Sequence, residues 1–522
     1  MLSRVTLTIW AALAWITVAI PTWQASSGKD LVQLLEKRAA KPSLSLNFTI
    51  SSSASISYPG SPSWEADTYR WSDWNPPLFG VAFLPATEQD VKTGLQYLAE
   101  HNITFLATSG GHGSTITLAS VHDGVAINLT NFRNVTFNGA EQTISVGAGA
   151  HFHDIWTTAY AAGRELPLSS ACVGVGGTTV GGGHGWLQGK YGLVIDAIVS
   201  MRVALWNGTI INASATENSD LFWAMRGAGH NFGILLEFTL KTWPQTNGGR
   251  VYNADMAFTD QSLEGVVRVL NDIIPTQPAE LGMDFVMFTN ATTNSTQLFI
   301  GLAYFGDSAE GEKFTARFAS STETAIERTF LNETMVRWDQ FSDVAVGGFI
   351  DVACGSESSS EIDADQLKVN VYTANAKLFD IPLTREVYSA YVDFVRDNPL
   401  AARSTVLYEI FAQQAMRAQN ASETAYPNRN HADILVLFQG IFTDSNVSAA
   451  VDEWGKKWRD QTTQHSGFPK QHVYVNYAHG DEPLQSMYGY EPWRLERLRN
   501  LKAKYDPRGL FNHFNSVLGA VA

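Results

Sequence analysis

The spacing of apolar positions becomes regular at residue 79, where it predicts a strand, a helix and a second strand. The apolar run Phe79–Leu84 predicts a buried strand, and Pro85 ends it. Thr87 and Asp90 are spaced as in a capping box, and the helix after them has one apolar face. The short apolar run 103–107 predicts the next strand. The pattern therefore predicts a β-α-β unit whose second strand leads directly into a glycine-rich run.

Apolar runs of strand length alternate with amphipathic stretches along the rest of the chain. Predicted strands cover residues 125–129, 143–146, 197–206, 209–212, 234–240, 297–304, 405–412 and 434–441. Predicted helices cover residues 152–162, 263–274, 385–396 and 492–504, with a shorter helical pattern over residues 30–38. Asn207-Gly208 predicts a hairpin turn. This mixture of strands and helices predicts an α+β fold class.

Changes in the distribution of glycine-rich runs along the chain predict the limits of its domains. The glycine runs fall within residues 26–245, which are expected to form the first domain. Residues 246–455 have fewer glycine runs and predict a second, α+β domain placed over the first. Residues 456–522 regain the earlier character and are expected to return to the first domain. A chain of 522 residues has ample material for two large cores.

Two glycine-rich runs, residues 108–115 and 174–185, hold the candidate chemistry. Glycines at this density let the backbone pass close to a ligand and adopt positive φ without a Cβ penalty. Successive exposed N–H groups in such loops form concavities that bind phosphate. His112 lies inside the first run, where a packing role is hard to justify. The runs therefore predict a site for a phosphate-bearing cofactor, with His112 touching it or bonded to it.

Three other kinds of site fit the sequence less well. Gly174-x-Gly176 resembles a dinucleotide-binding fingerprint, but that fingerprint needs a helix directly afterwards and here more glycines follow. A serine-hydrolase elbow needs Gly-x-Ser-x-Gly, which the sequence lacks. His151-x-His153 could ligate a metal, but no carboxylate or cysteine stands nearby at ligand spacing, so no metal site is expected.

Charge and composition exclude several classes of partner. The net charge is −15 and no cluster of lysine and arginine offsets it, so nucleic acid and anionic membranes are poor partners. Hydrophobic residues make up 45% of the chain and charged residues 17%, which favours a folded globular protein over a disordered one. The expected partner is a small molecule, and the sequence gives no basis for an oligomeric state.

The N-terminus predicts entry into the secretory pathway. Arg4 precedes an apolar run over residues 5–20 and small residues follow, as in a signal peptide over residues 1–25. The run is shorter than the roughly 20 residues of a membrane helix, so no stable membrane anchor is expected. Asn-x-Ser/Thr sequons stand at Asn47, Asn102, Asn128, Asn134, Asn207, Asn212, Asn290, Asn294, Asn332, Asn420 and Asn446. We expect a secreted or vesicular, N-glycosylated protein.

Cysteine usage indicates that size, not a disulfide framework, stabilises the fold. Cys172 and Cys354 are the only two cysteines in the sequence. A bridge between them is one alternative, and two free thiols are the expectation.

The first glycine run contains a known motif. Ser109-Gly-Gly-His112 resembles the FAD-attachment motif of the vanillyl-alcohol-oxidase superfamily, in its berberine-bridge-enzyme branch. The segments that match this branch in the same order are Val173-Gly-Val-Gly-Gly177, Gly181-Gly-Gly-His-Gly-Trp186 with Tyr191-Gly-Leu, residues 221–233, Asn476-Tyr477, and Lys504-Tyr-Asp-Pro507 with residues 511–517. The resemblance covers roughly residues 60–245 and 470–520. Together the motifs are highly specific, and the chain is similar to fungal members of this branch.

The resemblance implies a PCMH-type FAD-binding domain in two subdomains, with an inserted α+β substrate domain built on an antiparallel sheet. It also implies that His112 is bonded to the 8α-methyl group of FAD, which holds the ring and makes the flavin a stronger oxidant. The cofactor contacts that it implies are Thr108, Ser109, Gly110, Gly111, His112, Gly113, Ser114, Val173, Gly174, Gly176, Gly177, Thr178, Gly181, Gly182, His184, Gly185, Tyr191, Ile198 and Asn515.

Many relatives carry a second flavin bond to a cysteine, which is not expected here. Alignment on the second glycine run places Ser170 where that cysteine would stand, and Cys172 lies two residues later. A single bond through His112 is the expectation, with bicovalent attachment through Cys172 as the alternative. Val173 occupies the position that controls oxygen access in relatives, and a small valine implies an oxidase that uses molecular oxygen. Thr108 replaces the more usual arginine, and no consequence is assigned to it.

The resemblance implies that Tyr477 is the catalytic residue. In relatives the tyrosine of the Asn-Tyr pair lines the pocket beside the flavin, where it orients a substrate hydroxyl or takes a proton if its pKa is lowered. A tyrosine that packs between domains is the alternative. The family's other base falls by spacing near Leu437, which is a departure from the pattern. Gln439 and Tyr408 are the remaining candidates for that role.

The expected activity is FAD-dependent dehydrogenation of an alcohol or an activated C–H bond, with oxygen as the electron acceptor. The expected substrate is a small organic molecule, a secondary metabolite. An oligosaccharide oxidase is the first alternative, although the open groove of such enzymes often accompanies a bicovalent flavin. A flavin-binding glycoprotein without turnover is the second alternative.

Overall fold

The computed structural model describes residues 44–167, 169–290, 295–348, 367–430 and 433–519. The predicted signal peptide and the helical pattern over residues 30–38 lie outside the described residues. Cys354 and the sequon at Asn294 do so as well. Within the described ranges, no helix has both the length and the apolar character needed to cross a bilayer.

The strands follow the apolar runs closely. In chain order they are β1 (Ser55–Ser57), β2 (Phe79–Leu84), β3 (Phe105–Thr108), β4 (Gly124–Asn128), β5 (Val135–Asn138), β6 (Thr143–Gly147), β7 (Arg164–Glu165), β8 (Ile198–Ala204), β9 (Ile210–Ser214), β10 (Ile234–Lys241), β11 (Trp243–Pro244), β12 (Arg250–Phe258), β13 (Leu281–Asn290), β14 (Ser295–Tyr304), β15 (Arg328–Arg337), β16 (Lys368–Ala376), β17 (Thr405–Phe411) and β18 (Ile434–Phe442).

The helices lie mainly between the strands and after them. In chain order those of the described residues are α1 (Trp64–Asp67), α2 (Glu88–Glu100), α3 (Phe152–Ala161), α4 (Val175–Gly181), α5 (Gln188–Tyr191), α6 (Val194–Ala197), α7 (Ser219–Ala228), α8 (Leu263–Ile273), α9 (Ser308–Ala316), α10 (Ile381–Asp397), α11 (Gln414–Ala418), α12 (Ser448–Gln464), α13 (Leu484–Tyr488) and α14 (Pro492–Tyr505).

The first sheet has the strand order β1-β2-β4-β3 and contains the predicted β-α-β unit. β2 and β3 are both parallel to β4, which lies between them. The predicted capping box is present, because Thr87 Oγ1 accepts from Asp90 N at 3.1 Å and Asp90 Oδ2 accepts from Thr87 N at 2.9 Å. β3 ends at Thr108, so the sheet delivers the first glycine run at its edge.

The second sheet is antiparallel, with the strand order β5-β6-β10-β8-β9. β8 and β9 form the hairpin predicted at Asn207-Gly208, where Gly208 adopts a positive φ of 77°. β5 and β6 precede the second glycine run in the chain, whereas β8, β9 and β10 follow it, so the run lies in the connection between strands of this sheet.

The third sheet has seven strands in the order β15-β12-β14-β13-β17-β18-β16, and all neighbours are antiparallel. Leu270 of α8, Tyr391 of α10 and Trp454 of α12 are buried in one core with Ile410 of β17. These helices therefore cover one face of the sheet. The predicted α+β fold class is confirmed.

The opposite face of this sheet is directed at the glycine runs. Side chains alternate between the two faces of a strand. Along β17, Val406 and Tyr408 belong to the core under the helices, whereas Leu407, Glu409 and Phe411 line a cavity on the other side.

The C-terminal segment packs against the part of the chain that holds the glycine runs. Lys502 is buried, and its Nζ donates to Asn231 O at 2.7 Å and to Asp506 Oδ2 at 2.7 Å. Thr115, the last residue of the first glycine run, donates through Oγ1 to His479 O at 3.1 Å. These contacts fix the segment that contains Tyr477 beside the first run.

The second glycine run contains a helix that the sequence analysis does not predict. α4 forms within the run and ends at Gly181, and Gly182, with a φ of 146°, caps it. The expectation that the extra glycines prevent a helix here is wrong. The preceding strand, β7, is a two-residue strand that pairs antiparallel with β11. The run therefore does not form the β-α-β unit of a dinucleotide-binding fingerprint.

Candidate active site

A cavity of about 340 Å³ lies where the two glycine runs meet the seven-stranded sheet. His112 lines it from the first run and Gly174 from the second. Glu409 and Leu437 line it from the sheet, and Tyr477 lines it from the C-terminal segment. Four distant parts of the chain therefore meet around one space.

The two glycine runs press against each other, backbone to backbone. A Cβ added to Gly110 would lie 2.5 Å from Gly174 N, and one added to Gly174 would lie 2.1 Å from Gly110 N. Both positions require glycine, because no side chain fits at such distances. Ser109 connects the runs, since its Oγ donates to Ala148 O at 2.6 Å and accepts from Gly176 N at 3.3 Å.

Most of the predicted cofactor contacts line the cavity. They are Thr108, Ser109, Gly110, Gly111, His112, Gly113, Ser114, Val173, Gly174, Gly176, Gly177, Thr178, His184 and Gly185. The predicted catalytic residue, Tyr477, lines it too. The structure therefore brings the two runs and Tyr477 together as the sequence motifs predict.

The remaining predicted cofactor contacts lie outside the cavity lining: Gly181, Gly182, Tyr191, Ile198 and Asn515. A Cβ on Gly181 would lie 2.0 Å from Asn476 Oδ1, and one on Gly182 would lie 3.1 Å from ring atoms of Tyr426 and Tyr474. These two glycines therefore admit neighbouring side chains rather than a ligand.

The other three residues of this group have protein partners. Tyr191 donates to Glu165 and stacks on Trp243 at a centroid distance of 4.3 Å. Ile198 is buried in β8. Asn515 accepts from Thr115 Oγ1 at 3.0 Å and is buried. The structure thus gives these positions packing roles and places none of them at the cavity.

The first glycine run presents backbone donors that no protein group uses. Within the described part of the chain, no protein oxygen accepts from the backbone N–H groups of residues 110–114. His230 Nδ1 is also buried without a partner, on a ring that stacks on Phe514 at 4.1 Å and lines the cavity. Free N–H groups in a row bind phosphate oxygens, and flat rings pack against ring systems. The residues present therefore fit FAD.

Arg70 adds a buried cation to this side of the cavity. Its Nη2 donates to Gly113 O at 2.5 Å, and no carboxylate of the described residues forms an ion pair with it. Burial lowers the pKa of Arg70 to about 10, so the guanidinium stays charged at neutral pH. An unpaired buried cation at a lining position suits an anionic ligand such as a pyrophosphate.

His112 faces the cavity with one ring face covered. The ring stacks on Trp71 at a centroid distance of 5.1 Å and an interplanar angle of 21°. Burial, together with the charge of Arg70, lowers the pKa of His112 to about 3. The imidazole is therefore neutral at physiological pH and keeps a nitrogen lone pair.

His184 lines the cavity but is held by protein partners through both ring nitrogens. Its Nδ1 donates to Gln188 Oε1 at 2.9 Å and its Nε2 accepts from Tyr426 Oη at 2.7 Å. Burial lowers its pKa to about 3. His184 is therefore a fixed, neutral wall residue. Elsewhere in the described residues, no three His, Cys, Asp or Glu side chains converge as metal ligands.

Tyr477 makes its hydrogen bond to a residue that the sequence analysis does not identify. Its Oη donates to Glu409 Oε1 of β17 at 3.2 Å. Burial, reinforced by the negative charge of Glu409, raises the pKa of Tyr477 well above its usual value. The condition that a lowered pKa makes it a base is therefore not met. Tyr477 is a neutral phenol that points a donor at a carboxylate.

Glu409 has a second carboxyl group beside it. In the pairing of β13 with β17, Asp284 stands directly opposite Glu409, and both residues line the cavity. Burial raises the pKa of Glu409 to about 7. Burial and the charge of Glu409 raise the pKa of Asp284 well above its usual range. The sheet thus presents two acids that titrate far from their ordinary values.

The candidates for the second base need correction. Leu437 does line the cavity, but it is apolar and stands opposite Leu407, one strand away from Glu409. Gln439 lines the cavity and accepts from Thr405 Oγ1 at 2.7 Å. Tyr408 is on the opposite face of β17, packed under the helices. Spacing therefore located the right region of the sheet, and the carboxylate belongs to β17.

Ser170 and Cys172 differ in their position relative to the cavity. Ser170 lines it and Cys172 does not. Cys172 is disulfide-bonded, so the expectation of a free thiol at this position is wrong. A cysteine held in a disulfide is not available as a flavin ligand.

Glu409, Asp284 and Arg70 are the functional candidates that the sequence analysis missed. A signal for the two acids exists, because each is the only charged residue in an apolar strand, in Val406-Leu-Tyr-Glu-Ile410 and in Gly282-Met-Asp-Phe-Val286. A lone acid in a buried strand needs a function or a partner. Arg70 has no such signal, since it precedes the first strand that the apolar pattern predicts.

Comparisons with known proteins show the family of the chain. The chain matches the FAD binding domain family over residues 80–214 and the berberine and berberine-like family over residues 473–518. FAD-linked oxidoreductase tazL of Aspergillus terreus is 32% identical over 470 residues, which cover 90% of this chain and 92% of the relative. FAD-linked oxidoreductase srdI of Neurospora crassa is 31% identical over 471 residues, which cover 90% of each chain.

Solved structures share the fold. BBE-like 1 of Physcomitrella patens superposes with a TM-score of 0.74 at 20% identity, covering 93% of this chain and 98% of that one. A chitooligosaccharide oxidase superposes with a TM-score of 0.71 at 23% identity, covering 90% and 98%. Likeness at these identities shows the fold alone. On the sequence relatives, the chain belongs to the family of FAD-linked oxidoreductases that join an FAD binding domain to a berberine-like C-terminal segment.

Proposed function

We propose that this FAD-linked oxidoreductase dehydrogenates a hydroxyl-bearing carbon of a small, largely apolar organic substrate and passes the electrons to molecular oxygen. The observation that carries the proposal is the hydrogen bond from Tyr477 Oη to Glu409 Oε1, at 3.2 Å, inside the cavity that the glycine runs line. A phenol held on a carboxylate can take a proton from a substrate hydroxyl and pass its own proton on.

The backbone donors of residues 110–114 and the guanidinium of Arg70 would hold the phosphates of FAD, and the stacked rings of Trp71 and His112 would stand at one end of its ring system. When bound, FAD supplies the acceptor for the hydride that leaves the substrate carbon. The protein's own task is to hold both partners and to manage the hydroxyl proton.

We infer a single covalent bond between His112 and the 8α-methyl group of FAD. Three features support it: the neutral imidazole, its place in the lining, and the Trp71 ring that fixes its plane. The described residues offer no cysteine for a second bond, because Ser170 stands at the lining and Cys172 is held in a disulfide.

Tyr477 acts as a relay, not as a free base. Because its pKa is raised, it gives up its phenolic proton only as it gains the substrate's hydroxyl proton. Glu409 accepts the proton that leaves Tyr477. The carboxylate must be ionised for this step, and its pKa of about 7 makes that state available near neutral pH.

The apolar side chains that line the cavity near the sheet favour a substrate with an apolar skeleton. Leu407, Phe411 and Leu437 face the cavity, together with Val371 and Trp186. Side chains of this kind bind an aromatic or alicyclic skeleton, whereas a sugar chain needs a surface rich in hydrogen-bonding groups. The lining thus favours a small metabolite over an oligosaccharide.

Val173 supports oxygen as the acceptor. It lines the cavity at the start of the second run, and its two methyl groups leave more room than a longer side chain would. A small residue at this lining position would leave oxygen room to approach the bound flavin.

An oxygen electrode with peroxide detection tests the proposed function. The purified holoenzyme is offered primary and secondary alcohols with aromatic or alicyclic bodies, and in parallel cello-, xylo- and chito-oligosaccharides. We expect oxygen uptake matched by peroxide with one or more of the alcohols. Turnover with oligosaccharides alone would overturn the substrate class, and no peroxide from any compound despite a dithionite-reducible flavin would overturn the activity.

A further inference from the structure

Asp284 and Glu409 form a carboxyl pair on the cavity side of the sheet. They stand directly opposite each other in the register of β13 and β17, so their side chains project from the same face. Both residues line the cavity. On the other side of Asp284, across β14, stands Gly301, and Val346 packs directly on this glycine, since a Cβ there would lie 2.8 Å from Val346 Cγ2.

Both acids lack part of the hydrogen bonding that a buried carboxyl group needs. Asp284 Oδ1 and Glu409 Oε2 are buried without a partner. Tyr477 donates to the other oxygen of Glu409, and no protein donor of the described residues contacts Asp284. Asp284 is only 4% exposed. An orphaned acid of this kind is stable only when it is neutral or bound to a ligand.

Among the described residues, the titratable groups that approach the pair are neutral phenols. Tyr477 and Tyr474 approach it from the C-terminal segment, and burial raises the pKa of Tyr474 to about 12, so both remain phenols. From β18, Leu435 stands opposite Glu409. No lysine or arginine of the described chain forms an ion pair with either acid. Two carboxylates placed this close, without a cation, cannot both ionise near neutral pH.

The hydrogen bond from Tyr477 determines which of the two acids is ionised. A carboxylate that accepts a hydrogen bond is stabilised, and only Glu409 accepts one from protein. The proton that remains in the pair therefore resides on Asp284. Burial raises the pKa of both acids, but the charge of Glu409 raises that of Asp284 further, whereas the hydrogen bond from Tyr477 opposes the rise in the pKa of Glu409.

We propose that Asp284 and Glu409 work as a carboxyl pair that holds one proton, in which Asp284 is the neutral positioning residue and Glu409 the sole proton acceptor. The role of Glu409 rests on the proposed function. The sharing of one proton does not, because it is a property of the protein before any substrate binds. Removing either acid changes the titration of the other.

Infrared difference titration of the holoenzyme tests the pair directly, because a protonated carboxyl group absorbs apart from a carboxylate. Wild type is compared with D284N and E409Q. D255N is the matched control, since Asp255 is a buried acid of the same sheet and burial raises its pKa to about 7. Asp255 differs from the pair because it accepts hydrogen bonds from Asn253 Nδ2 at 2.9 Å and from Gly347 N at 3.0 Å. It also does not line the cavity.

We expect one protonated carboxyl band in wild type that persists above neutral pH, is missing in D284N and survives in D255N. In E409Q the same band should titrate about one pH unit or more lower, because the neighbouring charge is gone. A band that persists in D284N, or a titration that E409Q leaves in place, would overturn the proposal. If D284N does not fold, the shift in the titration of this band in E409Q tests the proposal by itself. Because the infrared titration uses no substrate, its result can be interpreted even if no alcohol is oxidised in the substrate screen.

Discussion

Tyr477 Oη lies 3.2 Å from Glu409 Oε1, although 68 residues separate the two in the chain. The bond joins the C-terminal segment to the seven-stranded sheet across the cavity. Asn476, the residue before Tyr477, donates to Thr178 O of the second glycine run at 3.0 Å. The relay is therefore anchored on both sides, and its geometry is set by the fold before a substrate arrives.

Removing either member of the relay should slow the reductive half-reaction. In Y477F and in E409Q the substrate's hydroxyl proton has no acceptor, and general-base assistance is typically worth about 100- to 10,000-fold. Stopped-flow spectroscopy under anaerobic conditions measures the rate at which substrate bleaches the flavin. The loss should appear in the limiting rate, with the substrate concentration for half-saturation changed much less.

Q439L is the matched control for these variants. Gln439 also lines the cavity, but its side chain is hydrogen-bonded to Thr405 and not to the relay, so its loss should leave the limiting rate within a few-fold of wild type. A Q439L defect as large as that of E409Q would show that any change of cavity polarity is harmful and that the relay has no special part.

The pH profile should carry an acid limb. Glu409 accepts a proton only when it is ionised, so kcat/KM should rise with pH through about 7, level off above it, and be lost as the pH falls. The initial rate at low substrate concentration, measured over the pH range, checks this. In E409Q the limb should disappear together with most of the activity. A limb of unchanged position in E409Q would assign it to another group.

The sequence predicts the regular elements well because their signals are local. The capping box at Thr87 and Asp90 and the apolar period after it depend on neighbours within four residues. Gly110 and Gly174 could also be predicted to share a site, because motifs of the family specify both runs. What the sequence does not give is the register between distant strands.

Glu409 illustrates that limit. Spacing along the chain led to Leu437 of β18, whereas the carboxylate that Tyr477 meets lies on the neighbouring strand, β17. A shift of one strand in a sheet cannot be derived from local pattern. The α4 helix shows a second limit, since Gly176 is helical only because the run packs tightly, with its Cβ position 3.1 Å from Ala148 O. Tertiary contacts override the poor helix propensity of glycine there.

Enlarging Val173 should separate reduction from reoxidation. V173L adds a methylene group at the lining and should slow the reaction of the reduced flavin with oxygen by about tenfold or more, equivalent to about 1.4 kcal/mol in the barrier. Mixing reduced enzyme with oxygenated buffer in the stopped flow measures this rate. V173A, which enlarges the space, should not slow it. Equal reoxidation rates in V173L and wild type would remove Val173 from the oxygen path.

A buried ion pair outside the cavity should matter for stability. Arg429 Nη2 lies 2.7 Å from Asp196 Oδ1, with the two side chains 0% and 3% exposed. D196N keeps the shape of the side chain but leaves the guanidinium without a counter-charge, which typically costs about 3–5 kcal/mol. The free energy of unfolding in urea measures the loss. K313A, which breaks an exposed pair with Glu310, should cost less than about 1 kcal/mol.

The sequons should be used unequally if the chain is secreted, as we propose. Asn128 is buried in β4, where its Nδ2 donates to Asp67 O at 3.0 Å, so a glycan there is incompatible with the fold. Asn332, Asn420 and Asn446 are exposed and can carry one. Peptide mapping of protein from a eukaryotic host, with and without glycosidase, should find Asn128 unmodified and the exposed sites occupied. Full occupancy of Asn128 would contradict the structure.

We propose that FAD is bonded to His112 where the two glycine runs meet, and the flavin content of acid-precipitated protein reports this bond. The wild-type pellet should stay yellow, and its flavin peptide should contain His112. S170A should behave in the same way, whereas H112A should release all of its FAD into the supernatant. Free FAD from the wild type would show that the flavin is not covalently bound, and bound flavin in the H112A pellet would show that another residue carries the bond.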